Sequence, residues 1–556
     1  MSEIRKISII LDNRSFEYDV YTLVIAFFQG VETRVYDPVQ EIPADTDLLV
    51  DVKLGCTREQ TGVQEQTKVP VEYVQGKACV PERLAQEPDS GKESEDKPKE
   101  NGSDFLSISL RGLGEAGDTL DRTVPAPDMD NRSHTKNILK RTLYEMLREY
   151  CKRDLPWGNL TGIRPVKLAM DLLHPSEQDS SRAAQDAALL AGSSTAQDAA
   201  VRARRKMTER YYVSDRKADL AVRIAQRESE ILKKINPQDG FSLYAGIPFC
   251  PSICMYCSFS SSPLKLWEKR VDEYLDALEK EIRSSGNCFP GKKLQTVYVG
   301  GGTPTTLEPY QLERLLTVIE ETFDMSGVLE YTVEAGRPDS ITKEKLEVLR
   351  RHHISRISIN PQTMNQKTLD LIGRRHTVEQ TKEAFLLARS MGFDNINMDL
   401  IVGLPGEGIR EVEHTMEEIE ALDPDDVTVH ALALKRAARL ALHMDEYEKI
   451  SFKVSDEIMH RCEEGCERLQ MTPYYLYRQK NIAGNFENVG YAKAGRAGLY
   501  NILIMEEVQC ILACGASGST KIVYDDGRIE RIENVKDIRS YLDRIDEMIG
   551  RKDSIR

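Results

Sequence analysis

The sequence predicts an α/β protein whose largest part is a partial, open (β/α)6 barrel. Residues 241–435 alternate short apolar runs with helical patterns, which predicts parallel strands joined by right-handed helical crossovers. Six such units occur, too few for the closed eight-fold barrel. A cysteine cluster and a glycine run follow the first two predicted strands, at the edge where barrel active sites lie.

The amino-terminal part predicts a separate, small α/β domain of unknown role over residues 1–84. Its apolar runs ISIIL, YDVYTLVIAFF and DLLVDVKL indicate strand, helix and strand. Residues 85–135 are predicted to be a linker, because 85–104 are rich in charge, proline, glycine and serine and too poor in apolar residues to fold. A short apolar piece, FLSISLRGLG, follows that stretch.

The remaining boundaries come from changes in periodicity. Residues 136–240 predict a helical connector, interrupted at about 175–203 by a low-complexity insert in which AQDAA occurs twice. The predicted barrel covers residues 241–440. Residues 441–556, with mixed helical and hairpin patterns, predict a C-terminal α+β cap over the substrate site.

Composition excludes several functional classes. Lys and Arg total 75 against 90 Asp and Glu, a net charge of −15, which argues against a general nucleic-acid binder because phosphate neutralisation needs clustered cations. No apolar run approaches the roughly 18–20 residues of a membrane span. Asp12 and Asn13 interrupt the stretch that a signal peptide would need. We therefore expect a cytoplasmic protein, and its 11 cysteines are no secreted disulfide framework.

Three cysteines form a C-x3-C-x2-C cluster, Cys250, Cys254 and Cys257, in the segment IPFCPSICMYCSF. Three thiolates at this spacing can hold three irons of a [4Fe–4S] cluster and leave the fourth iron open to substrate or cofactor. A structural zinc site needs four ligands, and no further Cys or His lies within about ten residues. An open iron–sulfur cluster is therefore favoured over a zinc site or ordinary thiols.

This spacing and its setting resemble the radical S-adenosylmethionine (radical SAM) superfamily. The resemblance implies that the open iron chelates the amino and carboxylate groups of S-adenosylmethionine (SAM). Reductive cleavage would then give methionine and a 5′-deoxyadenosyl radical. The aromatic residue before the last cysteine, Tyr256, fits the superfamily pattern, and core packing is its alternative role.

Other polar and glycine positions fall at the ends of later strands. The run VYVGGGTPTTL ends the second strand, and its glycines allow a ligand to approach the backbone closely, although a plain turn is the alternative for an isolated glycine run. Glu334, Gln362 and Asp399 end later strands, and Arg374 follows in LIGRRHT. A carboxylate can bind ribose hydroxyls, and an arginine can pair with the carboxylate of SAM. Each residue alone is more often a surface or capping group, but together they predict one site.

Longer motifs narrow the resemblance. The segments GIPFCPSICMYCSF, GGGTPT, EAGRPD, RISINPQTMNQKTLDLIGRRHT and NMDLIVGLPGE resemble the oxygen-independent coproporphyrinogen III oxidase (dehydrogenase) family. WGNLTGIRPVK, LALKRAARL and GNFENVGYA resemble its HemZ branch, and the resemblance covers residues from about 136 to 550 apart from the insert. It implies the following SAM contacts: Tyr244, Tyr256, Gly301, Gly302, Thr303, Glu334, Gln362, Arg374, Asp399, Ile401 and Ala433.

The resemblance implies oxidative decarboxylation of two propionate side chains of coproporphyrinogen III to vinyl groups, giving protoporphyrinogen IX in heme biosynthesis, with electrons from an unidentified donor. Because this substrate carries four carboxylates, we expect local cations to bind it. The candidates are Lys435, Arg436, Arg439 and Arg478, and a solvated basic face is the alternative for them.

Two departures and two rival functions bear on the substrate. Phe259 and Gly246 stand where the best-studied branch has a cysteine and a histidine, and the cluster needs neither residue. One rival is a heme-binding chaperone on the same fold, although such relatives have a histidine motif in the C-terminal half and the last hundred residues here contain only His460. The other is a radical SAM methyltransferase or another porphyrin-modifying enzyme.

Overall fold

The computed structural model describes residues 4–57, 103–113, 117–126, 131–162, 164–174, 196–257, 260–433, 454–479 and 485–555. The chain forms two compact units, Met1–Arg153 and Asp154–Arg556. Within the described ranges, no helix has the length and apolar character needed to cross a membrane.

The first unit is a five-stranded sheet with two helices. Its elements are β1 (Lys6–Leu11), α1 (Glu17–Phe27), β2 (Glu32–Tyr36), β3 (Leu48–Thr57), β4 (Ser103–Gly112), β5 (Thr119–Pro125) and α2 (Arg132–Cys151). The strand order is β2-β1-β3-β4-β5, parallel between β1 and its two neighbours and antiparallel beyond β3. The predicted strand, helix and strand are confirmed as β1, α1 and β3.

The structure differs from the predicted linker. The apolar piece after residue 104 is strand β4, in which Leu106, Ile108 and Leu110 alternate into the core with no exposed surface. This alternation places one apolar face inward while the backbone pairs with β3 from Leu48↔Gly112 to Thr57↔Ser103. The unit therefore extends to residue 153, beyond the predicted boundary at 84. Residues 85–102 of the predicted linker lie outside the described residues.

The second unit begins with helices. They are α3 (Pro165–Leu173), α4 (Ala196–Tyr211) and α5 (Asp215–Ile235). Helix α4 begins inside the predicted low-complexity insert, because Ala200, Ala203 and Met207 share a buried face at helical spacing. Residues 175–195 of that insert lie outside the described residues.

Six parallel strands follow, and they confirm the predicted partial barrel. They are β6 (Gly240–Ile247), β9 (Lys293–Gly301), β10 (Glu330–Glu334), β11 (Arg356–Ser358), β12 (Ile396–Val402) and β13 (Asp426–Ala431); a short pair, β7 (Phe249–Cys250) and β8 (Ser262–Pro263), flanks the cysteine loop. The helices between them are α6 (Val271–Ser284), α7 (Pro309–Thr322), α8 (Lys343–Arg351), α9 (Gln366–Leu371), α10 (Val378–Ser390) and α11 (Ile409–Leu422). Strands buried by helices read as continuous apolar runs, which made them recognisable.

The C-terminal part has the predicted α+β composition and continues the barrel sheet at both edges. Its elements are α12 (Asp456–Arg468), β14 (Thr472–Tyr477), β15 (Asn488–Ala492), α13 (Leu499–Glu506), β16 (Cys510–Cys514), β17 (Ser519–Val523), β18 (Ile529–Glu533), α14 (Ile538–Asp543) and α15 (Ile545–Gly550). The order is β14-β15-β13-β12-β11-β10-β9-β6-β16-β17-β18. Strand β15 is antiparallel to β13, whereas β16 is parallel to β6, with Cys510 opposite Phe241.

Candidate functional site

A cavity of about 460 Å³ lies at the carboxyl ends of the parallel strands. The structure brings every predicted cluster and SAM-binding residue to its wall. These residues are Tyr244, Cys250, Cys254, Tyr256, Cys257, Gly301, Gly302, Thr303, Glu334, Gln362, Arg374, Asp399, Ile401 and Ala433. Parallel strands end at the same edge of a sheet, which is why residues far apart in sequence meet here.

The cysteine loop is fixed by backbone hydrogen bonds to neighbouring elements. The N–H of Gly302 donates to the carbonyl of Ile247 at 2.7 Å, and the N–H of Thr303 donates to Phe249 at 2.7 Å. Inside the loop, Met255 N–H donates to the carbonyl of Ile372 at 3.0 Å. These bonds attach the loop to the glycine run on one side and to the segment before Arg374 on the other.

The glycine run must be glycine for steric reasons. Gly301 has φ +111°, a conformation that side chains disfavour, and a Cβ on Gly302 would lie 2.5 Å from the carbonyl oxygen of Phe249. A Cβ on Gly300 would lie 3.2 Å from the carboxyl carbon of Glu334. The run therefore presents bare backbone to the cavity beside the cysteine loop.

Two cysteines of the loop receive polar contacts at sulfur. Thr303 Oγ1 lies 3.5 Å from Cys250 Sγ, and Arg337 Nη1 lies 3.7 Å from Cys254 Sγ. Burial raises the pKa of Cys250, while the Thr303 hydroxyl opposes that rise by stabilising the thiolate. Arg337 is a site residue that sequence reasoning missed; its position three residues after Glu334 in EAGRPD was the available signal.

The donor set fits an open iron–sulfur cluster. Cys250, Cys254 and Cys257 share one cavity wall with a bare backbone surface, and the rest of the wall carries both polar and apolar side chains. Nowhere in the described ranges do three Cys, His, Asp or Glu side chains converge on a single metal ion. Thiolates are the ligands that iron–sulfur clusters require, and contacts such as those from Thr303 and Arg337 orient and tune them.

Glu334 presents a carboxyl group inside an aromatic stack. The hydroxyl of Tyr298 donates to Glu334 Oε1, and the Tyr298 ring stacks on Tyr500 with centroids 4.4 Å apart and on Tyr244 at 6.3 Å. Burial raises the pKa of Glu334 to about 7, and the hydrogen bond from Tyr298 limits the rise. The rings shield one side of the carboxyl while the cavity remains open on the other.

The pKa of Asp399 is shifted in the direction opposite to that of Glu334. Asn397 Nδ2 donates to Asp399 Oδ1 at 2.8 Å, and His430 Nε2 lies 3.8 Å from the same oxygen. Burial by itself would raise the pKa of Asp399, but the contacts from His430 and Asn397 outweigh it and lower the pKa. Asp399 is therefore an ionised hydrogen-bond acceptor at the cavity.

Arg374 is a buried cation with spare donor capacity. It is 4% exposed, and its guanidinium donates to the carbonyls of Asn360 and, at 3.1 Å, Gly336. Within the described residues Arg374 Nε has no hydrogen-bond partner, and no carboxylate forms an ion pair with this side chain. A buried guanidinium in this state suits the carboxylate of a ligand.

Gln362 joins two strands at the site. Its φ of +70° places it in the left-handed region, and it bridges to Leu400 of β12. The backbone N–H of Gln362 donates to the backbone carbonyl of Asp399 at 2.9 Å, and the backbone carbonyl of Gln362 accepts from the N–H of Ile401 at 2.8 Å. The unusual backbone turn thus places Gln362, Asp399 and Ile401 together on the wall.

The predicted substrate cations are not assembled at the cavity in the described structure. Lys435, Arg436 and Arg439 lie outside the described residues. Arg478 is absent from the cavity wall, because its guanidinium is buried against the Trp157 ring at 5.9 Å and donates to the carbonyl of Leu160 at 2.6 Å and to Asn485. Burial lowers the pKa of Arg478 to about 10. Its contacts are those of a structural residue, which corrects the expectation from its motif.

Sequence reasoning also missed a group of aromatic residues on the cavity wall. Tyr475, Tyr477 and His430 line it, with His430 Nδ1 3.5 Å from the Tyr477 hydroxyl and the two tyrosine rings stacked 6.2 Å apart. Tyr475 and Tyr477 alternate in YYLYRQK, so period-two spacing on a strand was the available signal.

Comparisons with known proteins identify a superfamily and several relatives. The profile of the radical SAM superfamily matches residues 244–419. The oxygen-independent coproporphyrinogen-III oxidase-like protein HemZ of Bacillus subtilis is 39% identical over 440 residues, which is 77% of this chain and 83% of that protein. The heme chaperone HemW of Bacillus subtilis is 32% identical over 317 residues, 55% of this chain and 76% of that protein. Among solved structures, coproporphyrinogen III oxidase (HemN) of Escherichia coli is similar with a TM-score of 0.45 and 23% identity, over 58% of this chain and 73% of that one.

Proposed function

Because this chain belongs to the oxygen-independent coproporphyrinogen-III oxidase-like (HemZ) family of the radical SAM superfamily, we propose that it oxidatively decarboxylates coproporphyrinogen III. Each of two propionate side chains would lose CO2, one hydrogen atom and one electron to become a vinyl group, giving protoporphyrinogen IX; the hydrogen atom would end in 5′-deoxyadenosine, and the electron would replace the one consumed in cleaving SAM. The observation that carries the proposal is the single cavity wall shared by three cysteines, a glycine backbone surface and the buried Arg374, whose Nε has no hydrogen-bond partner among the described residues.

Each residue has a defined part in this proposal. Cys250, Cys254 and Cys257 hold a [4Fe–4S] cluster, and Arg374 pairs with the carboxylate of SAM. When bound, the cluster and SAM together supply a carbon-centred radical that can remove a hydrogen atom from the substrate. The backbone of Gly301 and Gly302 and the hydroxyl of Thr303 lie beside the cysteine loop, where they can contact the methionine end of SAM.

The acidic residues of the wall bind rather than transfer protons. Asp399, held ionised by Asn397 and His430, accepts hydrogen bonds from ligand hydroxyls. Glu334 accepts them once its proton is lost, near neutral pH. The stack of Tyr244, Tyr298 and Tyr500 excludes water from the same side of the cavity. Lys435, Arg436 and Arg439 follow Ala433, a wall residue, by two to six positions in the chain, and we propose that they bind the substrate carboxylates.

The test is anaerobic reconstitution with iron and sulfide, followed by an assay with coproporphyrinogen III, SAM and a chemical reductant. We expect 5′-deoxyadenosine and a product lighter by two CO2 and four hydrogen atoms, because each propionate loses CO2 and two hydrogens in becoming a vinyl group. Cys254→Ala should lose the cluster absorbance and both products. The matched control Cys151→Ala, in the first unit, should keep all three. Absence of both products from the wild-type protein with a full cluster would refute the proposal.

A heme titration and the mass of the reaction product separate the rivals. Tight stoichiometric heme binding without decarboxylation would favour a heme carrier, the role named for the HemW relative. A product heavier by one methyl group would favour a methyltransferase. Charge reversal in Arg436→Glu that leaves turnover unchanged would remove Arg436 from the substrate site.

A further inference from the structure

Arg337 is a buried cation that contacts a proposed cluster ligand. It is 3% exposed and lies on the cavity wall. Its Nη1 is 3.7 Å from Cys254 Sγ, and the same nitrogen lies 3.3 Å from both the carbonyl and the hydroxyl oxygen of Ser252. The guanidinium therefore contacts the cysteine loop at two residues, one of which supplies a thiol for the cluster.

Asp339 fixes this guanidinium in place. Arg337 Nε donates to Asp339 Oδ1 and Arg337 Nη2 donates to Oδ2, both at 2.9 Å, in a bidentate pair. Bidentate arginine–carboxylate pairs define the orientation of the guanidinium plane as well as its position. With two nitrogens committed to Asp339, Nη1 is directed toward Cys254 and Ser252.

A positive donor beside a cluster thiolate changes the energetics of reduction. Reduction adds a negative charge to the cluster, and a nearby cation or sulfur-directed hydrogen bond stabilises the more negative state. Burial strengthens this effect, because charges interact more strongly away from water. Asp339 offsets part of the charge but leaves the hydrogen bond to sulfur in place.

We propose that Arg337 is a positioning residue that raises the reduction potential of the [4Fe–4S] cluster by directing its guanidinium at Cys254 Sγ. The inference rests on the three cysteines holding that cluster, which is part of the proposed function, and not on the identity of the porphyrin substrate. Because a cluster with a higher reduction potential is easier to reduce, weaker reductants would be sufficient to reduce it.

The experiment is an anaerobic redox titration of the reconstituted protein without substrate, followed by the electron paramagnetic resonance signal of the reduced cluster. In Arg337→Gln we expect a lower midpoint potential. The ratio of reduced to oxidised cluster at fixed potential should fall at least tenfold, which is about 59 mV for a one-electron couple. The matched control is Arg350→Gln, whose guanidinium stacks on Phe393 and is absent from this cavity wall; its midpoint should equal that of wild type.

Iron content decides how the result is interpreted. An unchanged midpoint in Arg337→Gln with full iron would overturn the inference. If that variant loads no iron, Arg337→Lys keeps the charge but loses the forked contacts; a midpoint below that of wild type in this variant supports the inference, and an unchanged midpoint overturns it. Failure of both variants to hold iron would also overturn it, since Arg337 would then act in forming the loop. A shifted midpoint with no porphyrinogen turnover would support this inference while refuting the proposed substrate.

Discussion

Two glutamates of the second unit, Glu281 on α6 and Glu334 at the end of β10, differ in how completely their carboxylates are bonded. Glu281 has no exposed surface. Its oxygens accept from four donors, namely Gly515 N–H at 2.7 Å, Asn534 Nδ2 at 2.7 Å, Tyr541 hydroxyl at 2.5 Å and Lys552 Nζ. Glu334 accepts from the Tyr298 hydroxyl and faces the Gly301 N–H, and it borders the cavity.

The difference separates a carboxylate that is saturated inside the protein from one that keeps acceptor capacity at a cavity. Two carboxylate oxygens offer about four acceptor positions, and Glu281 has used all of them inside the protein. Those donors come from the C-terminal elements, so Glu281 attaches that part of the chain to α6. Glu334 keeps acceptor capacity on the cavity side, and burial raises its pKa toward neutrality because it lacks such compensation.

The largest expected effect comes from Glu281→Gln. It leaves the buried Lys552 ammonium without its counter-charge, and breaking a buried ion pair from one side costs about 3–5 kcal/mol. Urea unfolding followed by tryptophan fluorescence measures it, because both tryptophans, Trp157 and Trp267, lie in the second unit.

The control for that measurement is Glu273→Gln, on the same helix, whose exposed pair with Arg270 should not change the midpoint measurably. The double variant Glu281→Gln with Lys552→Met should recover part of the loss, since it removes the unpaired charge. If the double variant recovers no stability, the hydrogen bonds from the other three donors, rather than the ion pair with Lys552, account for the stability that Glu281 contributes.

A smaller effect, of a different kind, is expected for Glu334→Gln. In the proposed function the wild-type carboxylate, ionised at pH 8, would accept charge-assisted hydrogen bonds from SAM, and losing one is worth about 1.5–3 kcal/mol, or roughly 10- to 100-fold in affinity. Anaerobic calorimetry with SAM and the reconstituted protein measures it. At pH 5 the wild-type Glu334 carboxyl is protonated and uncharged, as the amide of the variant is. The urea midpoint of Glu334→Gln at that pH should therefore match that of wild type. A stability loss there comparable to that of Glu281→Gln would erase the distinction between the two residues.

A third expected effect is a pH dependence of stability specific to Glu334. Burial raises its pKa from the ordinary 4.5 to about 7, so between those values the folded protein keeps a proton that the unfolded chain releases. Stability must then fall as pH rises from about 4.5 to about 7, and level off above. The difference in urea midpoint between wild type and Glu334→Gln, measured at pH 5, 6, 7 and 8, should show this slope. A flat difference would mean that Glu334 is not shielded from water as the structure indicates.

The barrel strands were predictable because burial on both faces leaves apolar runs with clear ends. The run LQTVYVG became Lys293–Gly301, and INMDLIVG became Ile396–Val402. The prediction of a linker over residues 85–135 missed β4 because it rested on the composition of the polar stretch. The part that follows this stretch places Leu106, Ile108 and Leu110 at every second position, and all three are buried. Alternation over eight residues is a strand signal even next to a stretch that is too polar to fold.

Side-chain direction was the less predictable part of the site. Arg374 and Arg478 both stand in family-like motifs, both donate to backbone carbonyls, and within the described residues both have an Nε without a partner. Yet Arg374 borders the cavity, whereas Arg478 is absent from its wall and packs against the Trp157 ring. Nothing in one sequence distinguishes these outcomes, because a hydrogen-bond partner such as Leu160 lies more than 300 positions away.

The sequence by itself determined the elements and the chemistry available to them: six β/α units, three clustered cysteines, a glycine run, and polar residues at strand ends. Those features are local, since periodicity and short spacings act over a few residues. Tertiary structure alone decided which carboxylate was saturated, which arginine faced a thiol, and that β16 would pair beside β6. These depend on contacts between distant segments, and such contacts form only when the sheet brings strand ends and C-terminal elements together.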